Sequence, residues 1–293
     1  MGEDTRIYTS FEEEKKRYHQ EVLELQGAHF RFANNFVMCH SQWLNKHHPV
    51  LIQSIQESIA KQYVIYDDPN DQADFLFDGP TTHVLISGKK SFEAARSYPN
   101  KKVVVLNFAN AYSPGGQPWA SSAQEETLCR ASTLYPCLEE ASASYHLLHR
   151  KQLDRRQIDH YGNADLLFTP NVLIYKNDDP VPDLLDENDW FKVDIITSAA
   201  PELWDYESEN HGYYERIMRY RIDCILSLAK AEKAEALILG AFGCGAFGNP
   251  PSVVARLFKE ELKRFAFPIV EFAIFDRFPE RGNRLKFEKV FAE

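Results

Sequence analysis

Several common signatures are missing from this chain, and each absence narrows the reading. No apolar run approaches the roughly 18 residues a membrane helix needs. The opening stretch, MGEDTRIYTSFEEEKKRY, lacks the apolar core of a secretory leader. Gly2 with Thr5 and Arg6 meets a myristoylation pattern only in part. The five cysteines (Cys39, Cys129, Cys137, Cys224 and Cys244) are odd in number and form no Cys-x-x-Cys pair. That disfavours a disulfide framework and suits a reducing compartment, so the expected location is the cytoplasm, or the nucleus in a eukaryote. The ten histidines include HSQWLNKHH and His146-x-x-His149, but neither has an accompanying cysteine or carboxylate pattern, and no His-Glu-x-x-His occurs. No metal is expected. Basic residues are outnumbered, 33 against 43 acidic, for a net charge of −10. Direct nucleic-acid binding, which draws on Lys and Arg, is not expected. A small anion stays open as a ligand, because backbone N–H groups bind phosphate without a basic patch.

What is present is an ordinary globular composition: 293 residues, 44% hydrophobic and 26% charged. The length suits one large domain, or one domain with an extension. No internal repeat or low-complexity tract interrupts it. The first eighty residues read as mainly helical. SFEEEKKRYHQEVLELQ starts with Ser10 as an N-cap and acids in its first turn. NKHHPVLIQSIQESIAKQY carries Leu51, Ile52, Ile55 and Ile59 at helical spacing. DDPNDQADFLFDGP then reads as a connection. Beyond it, short apolar runs (HVLIS, KVVVLNF, LLFTPNVLIYK, VDIITSAA, EALILGA, IVEFAIF) alternate with helical segments. Those segments are AQEETLCRASTLYPCLEEASASYHLLHR, YERIMRYRIDCILSLAKA and PPSVVARLFKEELKRF. The alternation predicts a three-layer α/β fold with a largely parallel sheet, spanning 81–293 after a helical extension over 1–80. The acidic run KNDDPVPDLLDENDW reads as a solvated loop near a pocket rim.

In such sheets ligands gather where strands end and loops lead into helices. Two glycine loops lie at such places. VVVLNFANAYSPGG ends a buried strand, and its glycines allow either a plain turn or close backbone approach. ALILGAFGCGAFGNPPSVVARLF runs a strand into Gly240, Gly243, Gly245 and Gly248, ahead of a helix with prolines at its start. Gly243-x-Gly245-x-x-Gly248 matches the dinucleotide fingerprint in spacing, but too little chain follows for a full dinucleotide domain. A phosphate-binding loop is the better physical reading, with tight strand-to-helix packing as the alternative. Phe247 is unusual for packing alone, since an aromatic there can lie on a sugar or base. Cys244 has no histidine near it in sequence, and a packing role suits it better than a nucleophilic one.

Gln124, Glu125 and Glu126 open the helix after the first loop. Read alone, the acids complement the helix dipole. A catalytic role would need burial, a neighbouring carboxylate or a bound diphosphate to raise a carboxyl pKa. The order Gly115-Gly116-Gln117, six residues, then Gln124-Glu125-Glu126 resembles the signature of poly(ADP-ribose) glycohydrolases, a glycine triplet followed by Gln-Glu-Glu. VVLNFANAYSPGG, QEETLCRASTLYPCL, FTPNVLIYK, DIITSAAP, LILGAFGCGAFGN and FAIFD resemble the microbial-type branch, in the same order, over about 80–280.

The resemblance implies a macrodomain: a mixed central sheet between helices, binding ADP-ribose across its top. It implies Glu126 as general acid/base, Glu125 on the ribose hydroxyls and Gln124 as support. It puts Asn107 and Asn110 near that ribose, and Gly115 and Gly116 against ribose and diphosphate. Gly243, Cys244, Gly245, Ala246, Phe247 and Gly248 would hold the diphosphate, with Phe247 on the distal ribose. Asn283 is the candidate to cap that ribose. Phe275 or Phe278 would stack on adenine, or else pack in the core. The implied partner is ADP-ribose or its polymer, free or on modified proteins, met by a monomer without a cofactor. The chemistry is hydrolysis through an oxocarbenium-like state.

Gln117 stands where the family has its third glycine. Glutamine at positive φ would be strained, so either the loop takes another path or the side chain enters the pocket. The first expectation is therefore hydrolysis of the polymer. The second is ADP-ribose binding with weakened or redirected cleavage, and a nicotinamide-nucleotide enzyme built on the Gly243 loop stands third.

Overall fold

The computed structural model describes residues 7–67, 79, 83–203, 206–208, 210–278, 280 and 282–293. Most of the expected connection DDPNDQADFLFDGP and the residues of the myristoylation pattern lie outside this range. Three helices lead: α1 (Phe11–Glu24), α2 (Phe30–His47) and α3 (Pro49–Ile59). Ser10 caps α1 by accepting the Glu13 N–H at 3.3 Å, and Pro49 opens α3, where its missing N–H costs nothing. The segment expected to be mainly helical also carries a strand, β1 (Tyr63–Ile65), which pairs with the central sheet.

The remaining elements are β2 (Val84–Ser87), α4 (Ser91–Arg96), β3 (Val103–Phe108), α5 (Gln124–Ala131), α6 (Leu134–Glu140) and α7 (His146–Asp154). They continue with β4 (Leu166–Ile174), β5 (Phe191–Ser198), α8 (His211–Ala231), β6 (Ala236–Leu239), α9 (Pro251–Glu261), β7 (Ile269–Ala273) and α10 (Asn283–Ala292). The long helix expected over 123–150 is broken instead. At Ser132 the backbone is extended and bridges Ile174, and the Thr133 N–H donates to Leu173 O, so pairing with β4 ends α5.

The seven strands lie in the order β1-β4-β5-β3-β6-β7-β2. Five run parallel, while β4 is antiparallel to both β1 and β5, giving the mixed three-layer sheet. A bulge between Thr169 and Val172 accommodates Pro170, which cannot donate to a ladder. Alternation along β3 divides the core: Val104 and Leu106 face α8, α9 and α10, while Val103 and Val105 face α4, α5 and α6. A third cluster joins Phe11, Tyr18, Trp43, Leu44 and Leu51 to Leu173, Tyr175 and Leu184, packing α1–α3 on the end of β4. Lys176 and Leu184 are buried, so the start of the acidic run is not the solvated loop expected. No helix among the described residues is long and apolar enough to cross a membrane.

Parallel β3 and β6 are neighbours, so both glycine loops leave the sheet at the same end. This adjacency makes one site out of two motifs more than a hundred residues apart. Because α2 shares the third cluster, Leu44→Ala removes a wholly buried side chain and is expected to cost about 2–5 kcal/mol. Urea unfolding followed by far-UV circular dichroism should show the loss in a single transition that includes α1–α3.

Candidate active site

The two loops and the tip of β7 enclose a cleft of about 410 Å³. Of the candidate site residues, Asn110, Gln124, Glu125, Glu126, Gly243, Gly245, Ala246, Phe247 and Asn283 line it. Asn107, Gly115, Gly116, Gln117, Cys244 and Gly248 do not, and each has a physical reason.

The acids come first. Gln124 latches α5 to β3: its Oε1 accepts the Phe108 N–H at 2.9 Å, and its Nε2 donates to Leu106 O at 2.8 Å and to Ser91 Oγ at 3.0 Å. That latch sets Glu125 and Glu126 at the strand end. Glu125 is 3% exposed, and both its oxygens are engaged: Asn107 Nδ2 donates to Oε1 at 3.1 Å and the Asn110 N–H to Oε2 at 2.8 Å. Asn107 itself is wholly buried behind Glu125 and also donates to Thr197 Oγ1 at 3.3 Å, so it orients the acid from behind. Burial raises the Glu125 carboxyl to about 8, against the hydrogen bonds from Asn110 and Asn107 that pull it down; the Glu126 charge adds to the rise.

Glu126 is held more loosely. Its Oε1 accepts the Gln117 N–H at 3.1 Å, and among the described residues no donor reaches its Oε2. Gly115 and Gly116 lie behind the pair at φ +69° and +63°. A Cβ on Gly116 would stand 2.5 Å from Glu126 Oε1, and one on Gly115 would stand 2.9 Å from the Tyr135 ring. These glycines therefore admit the carboxylates and the packing beneath them. Gln117 takes the first of its two anticipated outcomes. Its backbone is not in the left-handed region and its side chain is exposed, so only its N–H reaches the site. Any residue but proline can supply that N–H.

The second loop divides its glycines between two tasks. Gly243 and Gly248 adopt φ +72° and +69°; a Cβ on Gly243 would collide with Asn249 and Ala200, and one on Gly248 would stand 2.9 Å from Leu203 O. Those two serve packing, the alternative weighed for the whole loop. Gly245 is exposed, with open space where a Cβ would go and no left-handed φ, so it leaves room for something to come close. Cys244 packs against the large core cluster, its Sγ toward Phe242 O at 3.5 Å, and burial pushes its thiol up, away from nucleophile chemistry.

Sequence reasoning missed Asn249, which braces this loop: Nδ2 donates to Pro201 O at 2.8 Å and Gly243 O at 3.0 Å, and Oδ1 accepts from Tyr214 at 2.9 Å. Nothing in FGNPP distinguishes it from a turn residue. Also missed were Lys90 and Ser91, which line the cleft together with Asp178 of the acidic run expected near a pocket rim. Burial raises Asp178 to about 6.

Phe275 lines the cleft and is 59% exposed, with Lys90 Nζ 5.4 Å from its ring centre; Phe278 is exposed but does not line the cleft. Core packing is thus excluded for both, and Phe275 alone is placed to stack. Asn283 opens α10; its N–H donates to Asp276 at 3.0 Å and its Nδ2 reaches Cys244 O at 3.5 Å. Among the described residues no group of three or more His, Cys, Asp or Glu is arranged to hold a metal. His149 instead pairs with Asp165 at 2.9 Å.

Residues 36–177 match the family profile described as the microbial-type PARG catalytic domain. The fold is similar to the poly(ADP-ribose) glycohydrolase of Thermomonospora curvata bound to the inhibitor ADP-HPD, at TM-score 0.75 and 25% identity, covering 87% of this chain and 98% of that one. It is also similar to the poly(ADP-ribose) glycohydrolase of Deinococcus radiodurans in complex with ADP-ribose, at TM-score 0.70 and 28% identity, covering 81% and 96%. No curated protein matches it in sequence.

Two outcomes follow from the geometry. Gly243→Ala should lower the melting temperature by several degrees, because overpacking and positive φ act together, whereas Gly245→Ala should leave it unchanged; thermal unfolding checks both. Between the ordinary carboxyl value of 4.5 and about 8, the folded protein holds a proton on Glu125 that the unfolded chain releases. Stability from this group is therefore complete below 4.5 and is lost as pH rises toward 8. Urea midpoints across this range should fall more steeply for wild type than for Glu125→Gln.

Proposed function

We propose, from its similarity to the microbial-type poly(ADP-ribose) glycohydrolases, that this chain hydrolyses the ribose–ribose O-glycosidic bond of poly(ADP-ribose), with Glu126 as general acid and base. The observation that carries the assignment within the pair is the free Oε2 of Glu126. Glu125 has both oxygens taken by Asn107 and Asn110, while Glu126 offers one oxygen to the cleft and rests the other on the Gln117 N–H. Adjacent helix residues point about 100° apart, so the two acids address different parts of a bound sugar.

In this reading the terminal ADP-ribose lies along the cleft, with adenine against Phe275 and the diphosphate along Gly243–Gly248, drawn in where Gly245 leaves the backbone bare. The distal ribose sits between Phe247 and Asn110. Glu126 protonates the departing 2′-oxygen as the C1″–O bond breaks. The resulting carboxylate then takes a proton from the water that adds at C1″, releasing ADP-ribose. The proton burial keeps on Glu125 relieves the repulsion of two adjacent carboxylates and lets that group donate to a sugar hydroxyl. The substrate's own diphosphate offsets the developing positive charge. The polymer is met on modified proteins, by a monomer, in a reducing compartment that keeps the five cysteines free.

The binding-only alternative rested on Gln117, and an exposed side chain with its N–H on Glu126 gives that alternative no footing. Glu126→Gln is expected to lower ADP-ribose release from polymer by about 10²–10⁴-fold while calorimetry still detects ADP-ribose binding. Gln117→Gly is expected to stay within about twofold of wild type, as for a surface change. Release unaffected by Glu126→Gln would remove Glu126 from the mechanism.

A further inference from the structure

The loop carrying Gly115, Gly116 and Gln117 ends at Ala123, where α5 begins. Its carbonyls turn inward to two buried donors. Arg130 Nη1 donates to Pro118 O and to Ser121 O, each at 2.7 Å. Nδ2 of Asn34 lies 3.3 Å from Ala120 O, 3.0 Å from Ser121 O and 3.0 Å from Ser122 Oγ. Asn34 is 3% exposed and belongs to α2, in the segment expected to be a mere extension. About two turns further along the same buried stripe, Ser41 Oγ donates to Arg130 O at 2.7 Å, and Lys176 Nζ donates to Ser41 Oγ at 2.7 Å. Thus α2 grips both the loop and the far end of the helix that bears the acids.

We infer that α2 belongs to the catalytic apparatus, with Asn34 as the positioning residue that holds the 117–122 turn over Glu126. The inference rests on the role given to Glu126 above. The Ala120 and Ser121 N–H groups both donate to Gln117 O at 2.9 Å, so residues 117–121 move as one turn. The Gln117 N–H donates to Glu126 Oε1, so wherever that turn sits decides where the carboxylate points. Arg130 joins the turn to α5 itself and moves with Glu126. Trp119 of the turn packs edge-on against Tyr135 of α6, ring centres 5.4 Å apart, and among the described residues Asn34 is the side chain that ties the turn by hydrogen bonds to an element other than α5.

The amide has two hydrogens for three acceptors. Without it, those acceptors turn to water, which reaches Ser122 at the exposed edge, and the turn relaxes without unfolding the core. The walls assigned to adenine and diphosphate, Phe275 and Gly243–Phe247, stand on other loops and keep their shape, while the turn itself adds Ser121 and Ser122 to the cleft lining. The effect therefore falls on turnover and spares binding.

Asn34→Ala and Asn34→Asp test this together. Asp preserves the shape but presents an acceptor to three acceptors. If Asn34 acts as donor, both variants lower kcat on polymer by roughly 10–100-fold, the scale of an ångström of misplacement. KM and calorimetric ADP-ribose affinity stay within about threefold of wild type. If Asn34 only fills space, Asp resembles wild type, and the inference is overturned. A loss appearing equally in ADP-ribose affinity overturns it too.

Hydrogen exchange over residues 113–126 gives a readout that needs no turnover. Exchange should rise in Asn34→Ala and in the near-isosteric Asn34→Asp, which keeps the side chain's volume should the alanine variant fold poorly. Unchanged exchange refutes the inference even if wild type is active. A wild type without turnover refutes the glycohydrolase reading and leaves the exchange result to decide the role of Asn34.

Discussion

Two adjacent carboxylates buried in the first turn of a helix are costly to desolvate, and much of the structure around them answers that constraint. The loop after β3 folds back so that backbone N–H groups meet them, Asn110 on Glu125 and Gln117 on Glu126. Asn107 adds a side-chain donor from within the strand. Helix dipole and hydrogen bonds favour charge, burial and like-charge repulsion oppose it, and for Glu125 burial prevails. The glycines beneath follow from the same constraint, since Gly116 has no room for a Cβ beside the Glu126 carboxylate. Gln124 completes it by bonding both a carbonyl and an N–H of β3, which ties the first turn of α5 to the strand's end.

The facing loop obeys a different rule. It carries no charge, and its glycines separate into those that let the chain pack against Ala200, Leu203 and Asn249 and one, Gly245, that leaves the backbone accessible. A site for an anion made this way needs no lysine or arginine, which reconciles a diphosphate ligand with an acidic chain. Asn249 matters because a single buried amide bridges the loop's start, its end and the Pro201 segment.

The leading helices are tied to the same end of the molecule. They share a core with the end of β4, contribute a sheet strand through Tyr63–Ile65, and place Asn34 against the loop that follows β3. A boundary near residue 80, drawn where composition changes, runs between segments that share a core cluster and a sheet.

Local chemistry made much of this legible. Period-two and helical spacing marked most strands and helices; Gly-Gly followed by Gln-Glu-Glu, with a second glycine loop at a strand end, marked the two halves of the cleft and the acids. These depend on residues close together in the chain, where backbone sterics and hydrogen-bonding range suffice. Which glycine packs and which faces a ligand, that Gln117 turns outward, that Phe275 and not Phe278 reaches the cleft, and that Asn34 and Asn249 brace it were all decided by tertiary structure. Each depends on atoms brought near by the order of strands in the sheet, and no spacing within one segment encodes which distant surface it will meet.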